Sequence, residues 1–128
     1  MSKGEDFIVG LLKEARIDFE REKTFPDLRR KDFLRFDFYC HSVDGAPLII
    51  EYDGEYHFKP IRGRQALMKQ QEYDRRKNAY CLSKKIKLIR VPFWKLDTLT
   101  KDSLLYDTEF VVTSKWHSDI LMQTQNIR

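Results

Sequence analysis

"DFLRFDFYCHSVDGAPLIIEYDG", residues 32–54, is the stretch from which the fold is read. Its first half alternates. Leu34, Phe36, Phe38 and Cys40 are expected on one face of an extended strand, and Arg35, Asp37 and Tyr39 on the other. Asp44-Gly45 suits the positive-φ positions of a two-residue hairpin turn, so the chain reverses there and "PLIIEYDG" returns as the antiparallel partner. On the returning strand Leu48, Ile50 and Tyr52 share one face, while Ile49, Glu51 and Asp53 share the other.

Upstream, residues 5–16 place Phe7, Ile8, Leu11, Leu12 and Ala15 at helical spacing, with acids in the first turn. Residues 18–25 read as a strand and residues 26–31 as a turn. Downstream, the basic loop "FKPIRGR" leads into residues 65–83, which lack Gly and Pro and predict a helix. "KIKLIRVPF" predicts a short apolar strand in the middle of the sheet. Weaker helical patterns follow at 96–106 and 115–123. The order α-β-β-β-α-β predicts an α/β fold, a mixed sheet flanked by helices. Residues 1–94 form its core, and residues 95–128 are a C-terminal appendage of the same domain, helical in part. Its Trp116, Ile120, Leu121 and Met122 pack on the core or serve assembly.

With 41% hydrophobic and 34% charged residues over 128 positions, the chain is read as one globular domain. No stretch approaches the roughly 20 apolar residues of a membrane helix. The start, MSKGED, lacks an apolar signal region, so the expected location is intracellular, in the cytoplasm of a prokaryotic or phage-infected cell. Cys40 and Cys81 are read as reduced thiols; a zinc site from Cys40, His41, His57 and Cys81 is the lesser reading.

The charge pattern is more informative than the net charge of +4. Acids gather at 51–55, and basic residues surround them in sequence at 29–31, 59–64 and 75–77. Such an acidic spot ringed by cations suits a metal-dependent enzyme acting on phosphodiesters; ordinary solvated charge explains part of the same pattern. Asp37 lies mid-strand, where a lone carboxylate needs either an ion pair, such as Arg35, or a bound cation. The hairpin brings Glu51 and Asp53 beside it, making Asp37, Glu51 and Asp53 an oxygen-rich ligand set for Mg²⁺, with Mn²⁺ as the alternative. His57, just beyond the strand, is placed to move a proton to or from water or a leaving group. Lys59, Arg62 and Arg64, with Arg75 and Arg76, are candidate phosphate contacts.

An acid inside "LRFDFYC", then "IIEYDGEYHF", then "QQEYDRRKNAYC" ahead of "IKLIRVPFW", resembles the PD-(D/E)xK nuclease superfamily. Within it the chain is most similar to the very-short-patch-repair-like branch and the EDxHD homing endonucleases of phages. The resemblance covers residues 5–94 and implies a restriction-endonuclease-like core. It implies that Asp37 is the central metal-binding aspartate, Glu51 the second acid, His57 the histidine of the EDxHD pattern, Asp74 its final aspartate and Glu5 its helical glutamate. Lys77 lies on the same helix face as Asp74. Without the resemblance, Asp74 and Lys77 read as a surface ion pair three residues apart, and Glu5 reads equally as first-turn stabilisation. One departure stands out: the superfamily's usual lysine falls at Asp53. Asp53 is then an extra ligand, with His57 or Lys77 handling the proton, or else the chemistry is impaired.

The resemblance therefore implies a metal-dependent endonuclease on double-stranded DNA, of the site-specific homing type. A repair nicking enzyme, an RNA-processing nuclease and a non-catalytic DNA-binding module are the alternatives. A module this small covers about 600–1,000 Å² on DNA, so cutting both strands implies a homodimer or larger homo-oligomer.

Overall fold

The computed structural model describes residues 2–29 and 31–115. Helix α1 (Lys3–Glu14) starts where Ser2 accepts from the Glu5 N–H at 3.1 Å, and it buries Ile8 and Leu12. Strands β1 (Phe19–Arg29), β2 (Phe33–Val43) and β3 (Ala46–Asp53) form an antiparallel meander. A single 3₁₀ turn (Glu55–His57) and helix α2 (Arg64–Lys84) then lead to β4 (Lys87–Pro92), which pairs parallel with β3. A second 3₁₀ segment (Phe93–Thr98), helix α3 (Lys101–Tyr106) and a last 3₁₀ turn (Thr108–Phe110) follow. The fold is α/β with a mixed four-stranded sheet between helices, and the order α-β-β-β-α-β is the expected one.

The hairpin at 44–45 forms as its residues require, with φ of 54° at Asp44 and 88° at Gly45. The two sheet faces bury different layers. Leu48, Ile50, Ile89 and Val91 pack with Ile8, Leu12, Leu99 and Leu104, so α1 and α3 cover one face. Ile49 and Leu88 pack with Cys81, Tyr73 and Tyr80 of α2 on the other. Gly4 is where α1 meets the sheet most closely, since a Cβ there would fall 2.2 Å from the Tyr52 ring.

Several sequence expectations are corrected. The faces of β2 do not alternate throughout: Leu34 and Phe36 join the α2 layer, whereas Phe38 and Cys40 join the α1 layer. The switch occurs at Asp37. Facing it on β1, between the pairs Arg21–Phe38 and Lys23–Phe36, Glu22 adopts φ 55°, the left-handed region, which reverses the faces of that strand at the same level. The segment read as a turn at 26–31 is strand up to Arg29. The ladder slips between Thr24 and Arg29, where Pro26 has no N–H to give, a tolerable defect on an edge strand. β4 is the outer strand and not the middle one. Its free edge is partly covered by an antiparallel bridge from Val111 to Ile89 and by the Val112 N–H donating to the Leu88 carbonyl at 2.8 Å. The helix expected at 96–106 is divided between the 3₁₀ segment and α3. The helical pattern at 115–123, with Trp116, Ile120, Leu121 and Met122, lies outside the described residues apart from its first position. Among the described residues, no helix is long and apolar enough to cross a membrane.

Candidate functional site

The β2–β3 ladder stops at the Phe38–Ile50 pair, and there two acids take the place of backbone acceptors. The Asp37 N–H donates to Glu51 Oε2 at 2.8 Å, and the Tyr52 N–H donates to Asp37 Oδ2 at 2.8 Å. Each acid thus closes a backbone hydrogen bond that diverging strands would otherwise leave open. Glu51 and Asp53 lie on the α2 side of β3, as the alternation requires, and both are buried.

Opposite them, α2 turns a polar face inward: Asp74, Lys77 and Asn78 are buried, with Cys81 at the apolar end. Lys77 Nζ contacts Glu51 Oε1 at 2.5 Å. Burial alone would push the Glu51 carboxyl up, but Lys77 and Arg90 outweigh it and hold it below its usual value. Burial likewise pulls the Lys77 ammonium down, and Glu51 more than restores it. At Asp37 desolvation and the neighbouring Glu51 charge push the carboxyl up to about 9. The Tyr52 N–H and the Lys77 charge favour the carboxylate there but are outweighed.

The acids whose oxygens converge with those of Asp37 are Glu5 from α1 and Glu22 from β1, all within 4.8 Å of one another. Glu5 is held by Arg21 at 2.9 Å. The close approach of α1 over Gly4 is what brings Glu5 to this point.

Asp53 belongs to a second group. Its Oδ1 accepts from Arg90 at 2.7 Å and lies 3.5 Å from His57 Nδ1. His57 Nδ1 sits 2.8 Å from Asp74 Oδ2. Arg90 is fully buried and also reaches Asn78 Oδ1 at 2.7 Å and Asp74 Oδ1 at 3.5 Å. Gln70 donates to Asp74 Oδ1 at 3.1 Å. Burial raises Asp53 to about 6. At Asp74 burial is outweighed by Arg90 and His57, which hold it down to about 2. At His57 burial opposes the imidazolium, but Asp53 and Asp74 leave its pKa raised.

The predicted site residues therefore fall into two adjoining sets. Asp37, Glu51, Lys77 and Glu5 meet at the strand divergence; Asp53, His57 and Asp74 meet around Arg90. Asp74 and Lys77 are not a surface pair: both are buried, Lys77 reaches Glu51 on β3, and Asp74 reaches His57 and Arg90. Of the basic residues, Arg62 lies over the Tyr56 ring at 5.0 Å, and that ring stacks on His57 at 5.1 Å. Lys59 lies over Phe93. Arg64 opens α2 and is exposed. Arg75 and Arg76 are exposed on the outer side of α2, Arg75 in a groove with Gln65 and Met68, Arg76 paired with Glu72 at 3.3 Å. The zinc alternative does not assemble: Cys40 and Cys81 are in different layers, and His41 is exposed beside Glu20.

Arg90, Asn78 and Glu22 were missed. Arg90 had a readable signal, a charge flanked by Ile89 and Val91 in an apolar strand, the same anomaly that singled out Asp37. Asn78 is one turn from Asp74 and follows Lys77 in the helical D-x-x-K-N stretch that carries the resemblance, but its residue type alone suggests no role. Comparison with protein-family models, with curated proteins and with solved structures returns no match.

Proposed function

We propose that the chain is a metal-dependent endonuclease acting on duplex DNA, built on a restriction-endonuclease-like core. The observation that carries this reading is the meeting of Asp37, Glu51 and Lys77 where β2 and β3 part. The sequence resemblance implies an acid pair at Asp37 and Glu51 with a lysine at position 53; Asp53 occupies that place, and the ammonium beside Glu51 comes from Lys77 on α2.

The residues fit a hard divalent cation. The groups around Asp37 offer carboxylate oxygens, and Asp37 itself, pushed to about 9, is a carboxyl short of positive charge. Asp37 and Glu51 would hold the ion, with Glu5 and Glu22 beside them. When bound, Mg²⁺ or Mn²⁺ would acidify a water and neutralise charge on a phosphoryl oxygen.

The remaining steps belong to the chain. Lys77 keeps Glu51 ionised and fixes its carboxylate. Asp74 holds His57 through Nδ1, so the neutral ring carries its proton there and leaves Nε2 to accept one. Arg90 holds Asp74 and Asp53 as anions facing that ring. Arg62 and Lys59 lie beyond Tyr56 and Phe93, on the His57 side, and suit flanking phosphates. The likeness to phage homing endonucleases makes a specific duplex site the expected substrate and a symmetric assembly the expected working form.

The test is cleavage of supercoiled plasmid carrying varied inserts, in Mg²⁺, Mn²⁺ and EDTA, beside Asp37→Ala. Metal-dependent nicking or linearisation lost in the variant supports the reading. DNA binding indifferent to EDTA, with no cutting of any insert by the native chain, counts against it.

A further inference from the structure

Asp53, His57 and Asp74 form a group distinct in chemistry from the acids around Asp37. Their ligand atoms lie within 4.8 Å of one another, all three residues are buried, and one ligand is an imidazole nitrogen. Two of the four carboxylate oxygens are already anchored: Arg90 takes Asp53 Oδ1, which also lies 3.5 Å from His57 Nδ1, and Gln70 with Arg90 takes Asp74 Oδ1. What remains is Asp74 Oδ2, 2.8 Å from His57 Nδ1, and Asp53 Oδ2, which has no hydrogen-bond partner among the described residues although Asp53 is 1% exposed. A buried carboxylate oxygen without a partner is costly, and its own carboxylate already lies against the His57 ring. Arginine and glutamine bonded to one oxygen of each carboxylate are contacts of the kind that orient metal ligands.

We propose that Asp53, His57 and Asp74 form a second cation site, selective for a borderline transition metal such as Zn²⁺ over Mg²⁺, whose occupation blocks His57. The selectivity follows from the donors, because one imidazole nitrogen with two carboxylate oxygens suits Zn²⁺, Mn²⁺ or Co²⁺, whereas Mg²⁺ prefers oxygen and water. Binding requires Nδ1 to give up its proton. From the imidazolium that proton passes to solvent; from the neutral ring it is replaced by one on Nε2. In either case Nε2 ends protonated and cannot accept. The binding claim stands by itself; only the block of cleavage rests on the proton role proposed for His57.

Zn²⁺ is titrated into the full chain with nitrogen-15-labelled histidine, following the ring nitrogens by NMR, and affinity is measured against a chromophoric chelator. One equivalent is expected to shift His57 Nδ1 while millimolar Mg²⁺ does not. Affinity should fall at least tenfold in Asp53→Asn and Asp74→Asn and remain in Asp37→Asn, with circular dichroism verifying the fold of each. Zn²⁺ that tracks His41 and Glu20, or that is lost only with Asp37→Asn, overturns the site. Where binding is found, Zn²⁺ should suppress Mg²⁺-supported plasmid cleavage; intact cleavage with the site filled would reject the block and leave the binding result standing. A chain that never cleaves DNA still gives the NMR answer, so failure of the nuclease reading and failure of the metal site are separate results.

Discussion

Asp37 is under opposing demands. Desolvation and Glu51 hold its carboxyl protonated up to about pH 9, yet a nuclease needs it ionised. Because the folded value lies above the ordinary 3.8, the folded state holds a proton that the unfolded chain releases. Stability from this group is full below about pH 4 and falls as pH rises toward 9. Asp37→Asn, which keeps an oxygen for the Tyr52 N–H, should therefore melt higher than the native chain at pH 8 in EDTA. It should also lose the rise in Tm that Mg²⁺ gives the native chain, a rise expected to be larger at pH 8 than at pH 5. Differential scanning calorimetry reads all of these; a native Tm indifferent to Mg²⁺ would remove the metal argument. His57 supports a different measurement. With its pKa raised by Asp53 and Asp74, the free-enzyme pH–rate profile should climb through a value above 6.5. Removing the Asp74 charge in Asp74→Asn should move that limb to lower pH and cut the rate by about 10²–10⁴-fold. An unshifted limb would take the proton role away from His57.

At the scale of elements, β4 and α2 are tied by one cation as well as by apolar packing. Arg90 leaves the sheet between Ile89 and Val91 and meets Asp53 on β3 and both Asp74 and Asn78 on α2. A fork of donors reaching three acceptors is a guanidinium property that an ammonium lacks. Arg90→Met would leave the Asp53 and Asp74 charges buried with only His57 as a charged partner, a loss of about 3–5 kcal/mol in urea unfolding. Arg90→Lys should fall between native and Arg90→Met. Equal stability of all three would mean that α2 is held by its apolar contacts alone. The element scale also explains why two neighbouring acids, Glu51 and Asp53, separate in role: Lys77 and Arg90 approach the same strand face from different elements, and each claims one of them.

For the whole molecule, the charge distribution decides how DNA would lie. Arg62 and Lys59 stand on the side of His57, while Arg75 and Arg76 stand on the outside of α2. If duplex DNA covers the Asp37–His57 side, replacing Arg62 or Lys59 by Ala should lower the slope of log K against log salt by about 1 each, and Arg75→Ala or Arg76→Ala should not. Fluorescence anisotropy over a salt series measures this, and an equal effect of all four would mean a diffuse electrostatic surface instead.

Whatever depends on neighbours in the chain was legible from the sequence. The turn at Asp44-Gly45, the faces of β3, the helices near 5–16 and 65–83 and the element order follow from local periodicity and turn chemistry, and Asp37 stood out because a charge interrupts an apolar strand. Tertiary structure decided the rest, for reasons of distance and not of pattern. The face switch at Asp37 needs Glu22 opposite it in the left-handed region, and pattern alone gives no sign of that. β4 looked central because its residues are buried, but the segment after α3 and both helix layers bury an outer strand just as well. Lys77 pairs with Glu51, 26 residues away, and Arg90 with Asp53, 37 residues away, because the parallel return of β4 beside β3 lays α2 across those acids. A buried charge must find its counter-ion through space, and only the closed fold determines which one is near.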